Sequence, residues 1–78
     1  MKQIISQGIV VLPKGRLLDG QKFNYNNKEF EILRCFWDYL EENYIYEFKE
    51  LKTKENKVIR RSFDYITELQ TTNKIKLI

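Results

Sequence analysis

The residues best equipped for chemistry in this 78-residue chain are cations. Lys52, Lys54, Lys57, Arg60 and Arg61 crowd into "KTKENKVIRR". Lysines at such spacing act as point charges for phosphate, whereas the planar fork of an arginine matches the O6 and N7 acceptors of guanine. The groups that catalysis usually needs are missing or isolated. The sequence has no histidine, so the common general base near neutral pH and the commonest metal ligand are absent. Its serines are Ser6 and Ser62, and glycines 8, 15 and 20 form no phosphate-cradling loop. Glu41 and Glu42 read as solubilising charge, and the lone Cys35, inside an apolar stretch and beside carboxylates, reads as an inert structural thiol. The expectation is a protein with no catalytic residues, no metal and no cofactor.

The charge is segregated. Residues 29 to 47 hold six acids and one base, residues 48 to 61 six bases and two acids, against a net charge of only +3 for the whole chain. A local basic segment of this kind is the footprint expected for a polyanion. One cysteine permits no intrachain disulfide, and no apolar run reaches the roughly 18 residues that span a bilayer. A soluble cytoplasmic protein without membrane contact follows. With 42% hydrophobic residues the chain can support one core, so residues 1–78 are read as a single domain.

The elements that must position the cations come next. In region 1–25, "QGIVVL" reads as a β-branched strand, and Asp19-Gly20 suits a type I′ hairpin pairing Arg16 to Leu18 with Gln21 to Tyr25. Region 27–70 reads as a helical core. Its first helix is "NNKEFEILRCFWDYLEEN", capped by Asn26 or Asn27, with an apolar arc of roughly 220° at 100° per residue. So wide an arc predicts cover on two sides, with Glu31, Asp38, Glu41 and Glu42 on the free face. Trp37, Phe36 and Tyr39 are read as core at helical spacing. A short extended piece at Tyr44 to Tyr46 leads to a brief helix around Glu47 to Lys52, and "KVIRRSFDYITELQ" makes a third helix. "KIKLI", residues 74–78, closes the chain as a strand with Ile75 and Leu77 on one face.

A short helix, a polar turn and a helix with basic residues at its start is the outline of a helix-turn-helix. In that geometry Arg60 or Arg61 meets base edges, and Lys52, Lys54 and Lys57 meet phosphates. Asp64 and Glu68 stand one turn beyond the arginines, at a spacing that equally describes a salt-bridged solvated face. The candidate DNA-facing set is therefore Lys52, Lys54, Lys57, Arg60, Arg61 and Asp64.

In order of elements, residues 9 to 77 resemble the OmpR/PhoB-type winged-helix output domain. The resemblance is carried by "LLDGQKFNYNNKEFEIL", with Asp19-Gly20 in the hairpin, Asn26 at the capping position, then Lys28, Glu29, Phe30, Ile32 and Leu33. "YIYEFKEL" stands at the short strand and second helix, and "NKVIRRSFDYITELQ" at the recognition helix. It implies an α+β winged helix-turn-helix with N-terminal antiparallel strands, three helices and a short C-terminal strand, and a small transcriptional regulator that binds double-stranded DNA. Nine residues follow Leu69, room for one wing strand, and no receiver domain precedes the hairpin. The rival is a protein-binding module, such as a small phage-type inhibitor or assembly factor, using the acidic stripe Glu31, Asp38, Glu41 and Glu42. A homodimer joined through "KIKLI" or the N-terminal strand is the third reading.

Overall fold

A computed structural model describes residues 12–78. Their order is β1 (Lys22–Tyr25), β2 (Lys28–Asp38), β3 (Asn43–Glu50), β4 (Val58–Ser62), α1 (Phe63–Thr71) and β5 (Ile75–Leu77). The strands form one antiparallel sheet in the order β4-β3-β2-β1-β5, with α1 packed on one face. This is an α+β fold, but with one helix among the described residues it is not a winged helix-turn-helix. The strand expected at "QGIVVL" lies, apart from Leu12, outside the described residues.

The expected first helix is a β-hairpin. Asn26 and Asn27, read as helix caps, take φ of 58° and 65° and make the two-residue turn joining β1 to β2, with Tyr25 opposite Lys28. Positive φ at both central positions is the type I′ pattern, and asparagine tolerates it better than most residues. The Asp19-Gly20 turn is of another kind. Gln21 N–H donates to the Leu18 carbonyl at 3.0 Å, and only Gly20, at φ 88°, is left-handed. Arg16 to Leu18 therefore do not pair with Gln21 to Tyr25. Gly20 and Ile32 instead bond across to each other's side of the chain, Gly20 N–H to the Ile32 carbonyl and Ile32 N–H to the Gln21 carbonyl.

A β-bulge explains why β2 looks helical. Ile32 faces Phe48 and Arg34 faces Glu47, so Leu33 is an extra residue with no partner of its own. Before it the inward residues are Phe30 and Ile32, and after it they are Cys35 and Trp37. The shift by one residue breaks the period of two. The residues expected to form a helix at Glu47 to Lys52 complete β3 and enter the next loop. The expected third helix is split. Val58 and Ile59 favour an extended chain and pair with Lys49 and Phe48, and Ser62, whose Oγ accepts from Tyr65 N–H at 3.1 Å, caps α1 only from Phe63 onward. At the far end Asn73, at φ 61°, sits beyond Thr72. Lys74 N–H to the Leu69 carbonyl and Asn73 N–H to the Gln70 carbonyl close a Schellman motif. The chain then returns as β5 beside β1.

The core lies on the α1 side. Phe23 stacks on Phe30 at 5.3 Å, Phe48 meets both edge-to-face at 5.5 Å under Ile66, and Tyr46 stacks on Phe63 at 5.6 Å. Each such side chain contributes about 1.5–3 kcal/mol on burial. The segment before β1 joins the same layer, since Leu17 is buried and its N–H donates to the Tyr46 hydroxyl at 2.7 Å. Among the described residues α1 is the layer packed on the sheet, and it lies on one face, which corrects the expectation of cover on both sides; on the other face Ile45, opposite Phe36, is buried as well.

Candidate functional site

The opposite face is ordered by charge. Arg34 and Arg60 grip the two oxygens of Glu47 at 2.9 and 2.8 Å, and the Arg34 guanidinium lies 4.4 Å from the centre of the Phe36 ring. Hydrogen bonds from Arg34 and then Arg60 hold the Glu47 carboxyl below the usual glutamate range. Arg60 is thus committed to a carboxylate of its own chain.

The six residues expected to face DNA do not share a surface. Lys52, Lys54 and Lys57 lie in the β3–β4 loop, 51–57, where Lys52 pairs with Glu29 at 2.9 Å. Arg60 and Arg61 are consecutive in a strand, so they point to opposite faces. Arg61 turns towards α1, where it lies beside Tyr25 and Tyr65. Asp64 is in the first turn of α1, where an acid complements the positive end of the helix. The expected recognition helix does not exist as such: its basic half is a strand. Arg60 and Arg61 sit in β4, not in a helix that could enter a groove.

The feature that gathers unsatisfied chemistry is the β2–β3 tip. Asp38 and Asn43 are the last cross-strand partners, and Tyr39 to Glu42 form the loop between them. Asp38 Oδ1 accepts from the N–H groups of Leu40 at 2.9 Å and Glu41 at 3.2 Å, an Asx turn, and Glu42 closes the loop at φ 52°. Trp37 faces Tyr44 across the hairpin with centroids 5.0 Å apart and edge-to-face geometry, and Tyr39 sets its ring against Trp37 at 6.3 Å. Leu40 at the apex is 95% exposed and Tyr39 72%. Around them stand Asp38, Glu41 and Glu42, and the sequence has no base between Arg34 and Lys49. Three members of the expected acidic stripe therefore gather here. Glu31 does not: it lies in the body of the sheet between Lys22 of β1 and Lys49 of β3.

Tyr39 and Leu40 were hidden in the apolar arc of the expected helix. The signal that could have found them is the Asp-to-Asn bracket of "DYLEEN", turn chemistry around two large apolar residues. Cys35 is buried on the covered face, where burial pushes its thiol up and keeps it protonated. Among the described residues no group of three or more acids, cysteines or histidines is placed to hold a metal ion, and no helix is long and apolar enough to cross a membrane. No family model matches the chain, and neither a curated protein nor a solved structure matches it.

Proposed function

We propose that the chain is a non-enzymatic protein-binding module whose β2–β3 tip docks into an apolar cleft, rimmed by basic residues, on a protein partner. The observation that carries this reading is the exposure of Tyr39 and Leu40 on a turn already fixed by Asp38 and buttressed by Trp37 and Tyr44. Large apolar side chains in water are costly, and a preset turn lowers the entropy lost on docking. Tyrosine and tryptophan are the residue types that dominate binding energy at interfaces. Asp38, Glu41 and Glu42 set the sign of the partner's rim and would steer its approach. A cytoplasmic setting fits the single buried thiol.

The test is site-specific photo-crosslinking in an extract of the native host, with the photoreactive group at Leu40 and, as control, at Lys49 on the open face. The tip site should capture one defined protein, and Glu41→Lys with Glu42→Lys should abolish the capture. Equal labelling from both sites would refute the reading.

Double-stranded DNA is the second reading, supported by Lys52, Lys54 and Lys57 sharing one loop. Contact there would be to phosphate, without sequence readout. Binding to random duplex should then weaken steeply with salt and fall on Lys54→Ala with Lys57→Ala. Binding that is absent at low salt would eliminate it.

A further inference from the structure

A second site lies between α1 and the sheet. Phe23, Phe30 and Phe48 floor a cavity of about 100 Å³, and Ile66 and Leu69 wall it from the helix. Its mouth is polar. Arg61 lies there, with Tyr25 and Tyr65 beside it.

Arg61 is the unusual member. The other arginines of the described residues each pair with a carboxylate, Arg16 with Asp19, Arg34 and Arg60 with Glu47. Among the described residues Arg61 pairs with none, and one of its N–H groups donates to the Arg60 carbonyl at 2.7 Å. A guanidinium has five N–H donors, so a fork remains for an anion. Two phenol hydroxyls next to it can reorient to donate as well.

We propose that this cavity binds a short-chain monocarboxylic acid, its carboxylate on Arg61 and the Tyr25–Tyr65 pair, its tail among the three phenylalanines. The volume sets the tail. A space of about 100 Å³ suits a tail of a few carbons. Acetate leaves the phenylalanines uncovered, and a long-chain acid leaves most of its tail outside. The carboxylate supplies the charge that Arg61 lacks, and bidentate geometry favours it over a neutral head.

The test is titration of the full chain with pentanoate, followed by ¹H–¹⁵N NMR, with acetate, decanoate and 1-pentanol alongside. Pentanoate should shift the amides of Tyr25, Arg61, Tyr65, Ile66 and Leu69, and bind about 10-fold more tightly than pentanol, the worth of one charge-assisted pair. Acetate and decanoate should both bind more weakly than pentanoate. Arg61→Gln should lose a similar factor while melting as the parent does. Should that variant fail to fold, the pentanoate-to-pentanol ratio on the parent decides. No binding of pentanoate at tens of millimolar, equal affinity for the alcohol, unchanged affinity in a folded Arg61→Gln, or shifts mapping elsewhere would each overturn the proposal.

Discussion

The chain carries two aromatic clusters, one where β1, β2 and β3 lie side by side and one at the far end of β2 and β3, and they differ in what surrounds them. Phe23, Phe30 and Phe48 are at most 5% exposed beneath Ile66 of α1, while Trp37, Tyr39 and Tyr44 gather at the far end of β2 and β3, where Tyr39 and Leu40 stand in water. Ring geometry is alike in both, since edge-to-face pairs at 5–6 Å occur in each. What separates them is the cover. The first cluster has a helix over it and holds the fold together; the second has a rigid turn, a ring of carboxylates and two large side chains in water. Aromatic density alone says nothing of role, and cover does.

The largest break in this comparison comes from truncating the covered cluster. Phe30→Ala should cost about 3–5 kcal/mol, measured by urea unfolding, because the cavity left under α1 cannot collapse fully. For a domain this small that approaches the whole stability. Loosening the cover itself should cost less. Ser62→Ala removes the acceptor for Tyr65 N–H and should lower stability by about 1 kcal/mol, with early amide exchange in the first turn of α1.

The open face tests a third environment. Glu47 titrates below its ordinary range because Arg34 and Arg60 bond its ionised form. A depressed carboxyl stabilises the fold above the unfolded-state pKa, and that contribution is lost as pH falls through the native value. Glu47→Gln should therefore destabilise by up to about 1 kcal/mol at neutral pH, the arginines being half exposed, and the gap from the parent should close in acid. Unfolding midpoints across pH check this. The smallest effect on stability belongs to the tip, where Leu40→Ala should change it by no more than about 0.5 kcal/mol. A large loss there would show that the tip is core after all.

Some of this was legible in the residues. The closing strand follows from the alternation of Ile75 and Leu77, and Asn26-Asn27 suits a tight turn as well as a helix cap. The main error has a physical cause. Leu33 inserts one residue into β2, so a strand of eleven residues loses its period of two and scatters its apolar side chains round a helical wheel. The 220° arc was itself the warning, since few helices in so small a chain find two walls. In β4, Val58 and Ile59 favoured a strand, but the helical pattern of the following residues absorbed them. Ser62, placed on the buried arc, is the boundary between the two. The acidic members of the tip are visible as charge; that Tyr39 and Leu40 stand among them follows only once the Asp-to-Asn bracket of "DYLEEN" is taken as a hairpin turn, which the helical pattern around it masks.

Trp37 is the only tryptophan in the chain, and it stands at the base of the tip. Its emission therefore reports the proposed interface without a label. Titration with the protein captured through Leu40 should shift Trp37 emission to the blue and protect it from acrylamide, and Leu40→Ala should weaken that titration about 10-fold or more. Emission and quenching that stay unchanged when the partner is bound to saturation would contradict the account.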